Sequence, residues 1–185
     1  YLIIKSFSNE TDDQVAKLLK EAQSKKVHAI IIDLRNNLGG TVDSVLNISN
    51  EFIDGGLIFY SIDSDKNRRN YVANKGGSFT TKPIVVLVNP FSASASEVLA
   101  GTLQQNRNAT IIGTKTYGKG NVGIFHELNE KDGINFSIAA WYLPNGDRIE
   151  EDGIEPDINP STEDTTNAGD IVYNKAIEVL NKLFK

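Results

Sequence analysis

Two short stretches carry the side chains best suited to chemistry. The first, "NPFSASASEVLAG" at residues 89–101, places serines at 92, 94 and 96 and then runs into an apolar helical pattern. A serine in that position can cap a helix, its oxygen accepting from orphan backbone N–H groups. It can equally be a nucleophile at a helix N-terminus, where the same N–H groups and the helix dipole favour developing negative charge. Residue type alone leaves all three serines open to both roles. The second stretch, "TKTYGKGN" at residues 114–121, sets Lys119 between two glycines. With a third segment, the glycine-containing turn "RNNLGG" at residues 35–40 and its backbone donors, they form a kit for acyl transfer.

Such a nucleophile needs a base. A Ser-His-Asp arrangement would have to use one of the two histidines. His28 lies within an apolar strand pattern, and His126 alternates with apolar residues in another. A lone strand histidine is ordinarily structural, and His126 is the better of the two as an alternative base. That leaves Lys119. A free lysine titrates near ~10.4, so accepting a proton at neutral pH requires a depression of about 3 pH units, roughly 4 kcal/mol, which desolvation can supply. The lysine loop is therefore expected to be buried, with Gly118 and Gly120 letting the backbone pack closely and set the amine deep. A competing reading takes "GTKTYGK", residues 113–119, as the start of a phosphate-binding loop. That pattern needs Ser or Thr next and then a helix whose N-terminus faces the phosphates, whereas Gly120 and a period-two strand pattern follow.

These segments must be held by regular elements. "YLIIKSF" (residues 1–7) reads as a strand, and the next stretch as a helix with Val15, Leu18, Leu19 and Ala22 on one face, started by a Thr11/Gln14 capping box. "VHAIIIDL" (27–34) and "PIVVLV" (83–88) are continuous apolar runs of strand length, as in strands covered on both faces. The first leads into "RNNLGG" and then a helix through Val42, Val45, Leu46 and Phe52; the second leads into the serines and a helix through Ala95, Val98, Leu99 and Leu103. "GLIFYSI" and "NYVA" form a hairpin whose tip is the basic knot "KNRRN" (66–70). "ATIIG" precedes the lysine loop. "VGIFHEL" and "INFSIAAWYL" follow it as strands, and "PNGD" (144–147) makes a turn. "NPSTEDTTNAG" (159–169) reads as a linker to a last helix at about residues 168–184, bearing Val172, Ala176, Val179 and Leu183. Alternating strands and helices with extra hairpins predict an α/β fold with a mixed sheet flanked by helices. In such sheets ligands sit beyond the carboxyl ends of strands, where the three candidate loops fall.

Bulk properties narrow the class. A chain of 185 residues favours one domain. With 39% hydrophobic and 23% charged residues it is an ordinary globular composition, and no apolar run approaches the ~20 residues of a spanning helix. A net charge of -5 argues against a broad nucleic-acid surface. The absence of cysteine excludes disulfides, thiolate catalysis and cysteine-ligated zinc. The chain opens inside a strand pattern and contains no Met, from which an excised domain, its targeting segment elsewhere, is expected.

Four motifs in order, "DLRNNLGG", "NPFSASASEVLAG", "GTKTYGKGNV" and "YLPNGDRIEEDGIEPD", resemble the carboxyl-terminal processing proteases, tail-specific serine peptidases with a Ser/Lys dyad. The resemblance covers roughly residues 1–158. It implies a ClpP/crotonase-like α/β spiral core and a single peptidase core over residues 1–185. It further implies Ser94 as nucleophile, Lys119 as general base, and an oxyanion hole from the backbone N–H groups of Ala95, Gly39 and Gly40. Glu97 and Thr116 fall at supporting positions. No metal or cofactor is implied. Partners would be polypeptide substrates with accessible C-terminal tails, the assembly is compatible with a homo-oligomer, and the family's usual setting is extracytoplasmic.

The chain departs from the family pattern twice. Gly123 stands where a Gln four residues after the lysine usually hydrogen-bonds to it, leaving a neighbour such as Asn121 to substitute. The PDZ domain that captures substrate tails in the family is absent from these residues. The alternative expectation is accordingly a catalytically weakened member that acts as a peptide-binding or scaffolding module.

Overall fold

The computed structural model describes residues 1–160 and 169–184. Its elements run β1 (Leu2–Ile3), α1 (Asn9–Ser24), β2 (Ile30–Asp33), α2 (Val42–Phe52), β3 (Gly56–Asp63), β4 (Arg68–Ala73), β5 (Ile84–Val88), α3 (Ala95–Arg107), β6 (Thr110–Gly113), β7 (Asn121–Glu127), β8 (Gly133–Tyr142) and α4 (Ile171–Leu183). The α/β class holds. Parallel and antiparallel strands are, however, sorted into two sheets rather than mingled in one. One sheet has the order β1-β2-β5-β6 and is parallel throughout; the other has the order β4-β3-β8-β7 and is antiparallel throughout.

The apolar runs of β2 and β5 follow from the parallel sheet's position. Successive side chains point to opposite faces, and both faces are covered. Ile30, Ile32, Val86 and Val88 meet the helices α1, α2 and α3 in the main core, whereas Ile31, Val85, Leu87 and Ile112 pack on Ala176 and Leu180 of α4. The second sheet joins this core at one end only, through Ile58, Phe59, Ala73 and Trp141. Its far end, β7 with the first half of β8, leaves Ile124, Phe125, Ile134 and Phe136 exposed.

Several local expectations change in detail. Ser8, not Thr11, caps α1, accepting from the Thr11 N–H. Leu18 lies outside the buried face, 48% exposed, because Val15 and Leu19 alone turn fully inward. His28 precedes β2 and is exposed, since the strand starts only at Ile30. The basic knot is a hairpin tip as read, with Arg68 stacked over Tyr60 and Arg69 over Tyr71. The last helix begins at Ile171; most of the linker and its predicted start at residue 168 lie outside the described residues.

Candidate active site

The turns after β2, β5 and β6 meet at one end of the parallel sheet. In the serine turn the three hydroxyls have separate fates. Ser92 is fully buried and donates to the Leu34 carbonyl at 2.8 Å, while accepting from the Asn89 N–H at 3.0 Å. Ser96, also fully buried, donates to the Asn37 carbonyl at 2.8 Å. Ser92 thereby ties the serine turn to the residue that follows β2, and Ser96 ties it to the "RNNLGG" turn. Ser94, between them, is half-buried and lines a cavity of about 420 Å³.

The backbone of Ser94 is unusual. Its φ of 57° and ψ of -117° lie in a region that non-glycine residues rarely occupy, at a cost on the order of 1–3 kcal/mol. The neighbours offset that cost. The Ala93 N–H donates to the Asn37 carbonyl at 3.0 Å, and the Ser94 N–H donates to Glu97 Oε2 at 2.8 Å. Facing it, Gly39 has φ +102°, and a Cβ there would lie 2.8 Å from both the Ala93 oxygen and the Ser94 Cβ. Only a glycine lets this turn lie against the serine.

The Gly39 N–H, expected as an oxyanion donor, is engaged: it donates to Asn37 Oδ1 at 2.8 Å. Gly40 lines the Ser94 cavity, and Ala95 opens α3 directly behind Ser94. The N–H groups of Gly40 and Ala95 make no hydrogen bond among the described residues. Asn37 was not singled out by the sequence. It is fully buried, and its Nδ2 donates to the Ile4 carbonyl at 2.7 Å. An Asn beside glycines reads as a turn former, and nothing in its spacing separates that reading from a scaffold for the opposite loop.

Glu97 is the centre of the arrangement. It is 0% exposed, and its carboxylate accepts four hydrogen bonds: Oε1 from Thr116 Oγ1 and the Gly118 N–H, both at 2.6 Å, and Oε2 from the N–H groups of Ser94 at 2.8 Å and Lys119 at 2.9 Å. A buried carboxylate is tolerated when its oxygens are satisfied in this way. Thr116 in turn accepts from the Ile154 N–H at 2.7 Å. One side chain therefore sets the spacing between the serine turn and the lysine loop.

The lysine loop packs closely, as its glycines predict. A Cβ on Gly120 would lie 2.0 Å from the Glu150 nitrogen, and the Gly118 carbonyl accepts from the Glu151 N–H at 3.0 Å. The expected depth of the amine is corrected: Lys119 is exposed, because its side chain leaves the packed backbone and enters the open cavity it shares with Ser94. No hydrogen bond joins Lys119 Nζ to Ser94 Oγ among the described residues. Neither His28 nor His126 lines this cavity, and β7 rather than a helix follows the lysine, so the phosphate-loop geometry is not formed. Among the described residues no three His, Cys, Asp or Glu side chains could hold a metal ion, and no helix is long and apolar enough to cross a membrane.

Comparison with known proteins bears on this geometry. Peptidase family S41 matches residues 1–159. A carboxyl-terminal-processing protease of Synechocystis sp. is 35% identical over 97% of this chain and 43% of its own length. A carboxy-terminal-processing protease of Bartonella bacilliformis is 37% identical over 85% of this chain and 38% of its own. The solved structure of a photosystem II D1 C-terminal processing protease superposes with a TM-score of 0.80 at 31% identity, covering 86% of this chain and 41% of that one. The chain thus spans about two fifths of the length of these relatives.

Proposed function

The chain belongs to peptidase family S41 and has its ClpP/crotonase-like spiral core, and on that premise we propose that residues 1–185 are the single catalytic core of a serine endopeptidase cleaving polypeptides near their C-termini. The observation that carries the reading is the division of labour among the serines. Ser92 and Ser96 are spent on holding the facing segment, and of these three serines it is Ser94 that lines the cavity that also contains Lys119.

Ser94 Oγ attacks the peptide carbonyl while neutral Lys119 takes its proton. The oxyanion that forms is held by the N–H groups of Ala95 and Gly40, donors whose value lies in being fixed before charge develops. Gly39 contributes closeness rather than a donor. Collapse breaks the C–N bond, the lysine ammonium protonates the departing amine, and an acyl-enzyme remains on Ser94. Water, deprotonated by the same lysine, then hydrolyses the ester. Glu97 and Thr116 act by position, keeping the two loops in register. The same resemblance supports substrates with accessible C-terminal tails, assembly into homo-oligomers and an extracytoplasmic setting.

A second reading, a peptide-binding module with weak catalysis, draws on Gly123 and on the missing hydrogen bond between Ser94 and Lys119. One experiment separates the two. With an internally quenched peptide ending in a free carboxylate, the enzyme reading expects turnover that Ser94→Ala and Lys119→Ala each reduce by about 10⁴-fold. Binding of that peptide by the parent protein without cleavage supports the module instead.

A further inference from the structure

Lys119 Nζ makes no hydrogen bond or ion pair among the described residues. A neutral amine on a flexible four-carbon stem has one lone pair, and it serves as a base only when something orients it toward the hydroxyl. The polar side chains lining its cavity besides Ser94 belong to Asn121, Asn135 and Ser137. Asn121 is the obvious neighbour by sequence; its Nδ2 donates to Glu150 Oε1 at 3.4 Å, on the strip that packs against the lysine loop, which turns that end of its carboxamide away and leaves its Oδ1 as the competing acceptor. Asn135 is not so engaged. It lies on β8 opposite Phe125, two pairs beyond the Ser137–Gly123 pair and therefore on the same face, and a register shift falls between Val122 and Gly123.

Its carboxamide leans across Gly123. A Cβ at position 123 would sit 2.6 Å from Asn135 Oδ1, well inside contact distance. The bare backbone of Gly123 thus provides the space that the Asn135 side chain occupies, and both residues line the cavity of Ser94 and Lys119.

We propose that Asn135 is the positioning residue for Lys119, its Oδ1 accepting one N–H of the amine so that the lone pair faces Ser94. The inference rests on the reading of Ser94 and Lys119 as nucleophile and base. Gly123 and Asn135 then form one device, in which a carboxamide from the neighbouring strand does what a side chain at 123 would otherwise do.

The test is steady-state cleavage of the quenched peptide by the intact protein, with fluorophosphonate labelling as a second readout. Asn135→Ala is expected to lower kcat and the labelling rate together by about tenfold or more, with KM changed less than about twofold. Gly123→Gln in the Asn135→Ala background is expected to restore kcat to within about threefold of the parent, because a carboxamide returns once the obstructing one is gone. A kcat for Asn135→Ala within about twofold of the parent, while Ser94→Ala and Lys119→Ala are inactive, overturns the role of Asn135 and leaves the dyad standing. So does a rise in KM alone. Undiminished cleavage by Ser94→Ala or Lys119→Ala overturns the dyad first and this role with it.

Discussion

The two sides of the site are held very differently. On the serine side, Ser92, Ser96, Ala93 and Asn37 lock two turns together through buried hydrogen bonds, and the reward is one residue in a costly backbone conformation. On the lysine side the backbone is equally well seated, against residues 149–151 and Glu97, yet the Lys119 amine ends in an open cavity without a hydrogen-bond partner among the described residues. The proposed nucleophile is thus fixed by its main chain. The proposed base is fixed only to its Cα. The backbone around Ser94 is set by the fold, whereas orientation of the Lys119 amine is left to side chains that substrate and neighbours can influence.

Both sides are disturbed most severely through Glu97, the carboxylate they share. Glu97→Ala leaves the Thr116 hydroxyl and three N–H groups unsatisfied in a buried space. Urea unfolding should register a loss of about 3–5 kcal/mol, and kcat should fall by about 10²-fold or more as the loops lose register. Glu97→Gln, which keeps the volume and one acceptor oxygen, should lose less stability than Glu97→Ala.

Next comes the serine side alone. Gly39→Ala drives a Cβ into the Ala93 oxygen and the Ser94 Cβ at an unfavourable φ. The expected outcome is about 1–3 kcal/mol of destabilisation and a kcat reduced about a hundredfold. KM should stay close to the parent value, since the ground-state cavity is otherwise intact. Smaller again are Ser92→Ala, which removes two hydrogen bonds of its hydroxyl, and Ser96→Ala, which removes one, each bond worth about 1 kcal/mol. Thermal unfolding should show the larger loss for Ser92→Ala, with fluorophosphonate labelling retained in both.

The smallest effect lies away from the site. Arg35 bonds to Asp33 and to Asp170, the cap of α4, and that contact holds the Asp170 carboxyl below its usual range. A depressed carboxyl stabilises the fold above its unfolded pKa of ~3.9, and the contribution is lost as pH falls through the lower folded value. Amide exchange in α4 should therefore quicken below about pH 4, before exchange in the parallel sheet does.

Much of the frame was legible in the sequence because the physics was local or periodic. The unbroken apolar runs of β2 and β5 reflect helices on both faces, and the glycines of the lysine loop reflect true backbone contact. Other features depended on partners distant in the chain. Glu97 reads as a first-turn acidic residue, and only the fold brings Thr116 and Gly118 onto its oxygen. Asn37 reads as part of a turn. Close packing at Gly118 and Gly120 suggested a deep amine, but a long side chain can leave a packed backbone, and Lys119 does. β7 and β8 read as strands from their apolar content, whereas nothing in them shows that the ribbon extends past the core and leaves Phe125 and Phe136 exposed.

Ser94 is proposed to be made nucleophilic by Lys119 across their shared cavity. The most direct measurement is the rate at which a fluorophosphonate modifies Ser94 in the intact protein, followed by peptide mass spectrometry. The expected result is a single adduct on Ser94, none in Ser94→Ala, and labelling slowed by about a hundredfold or more in Lys119→Ala. An adduct on another residue, or labelling of Lys119→Ala at the parent rate, would contradict it.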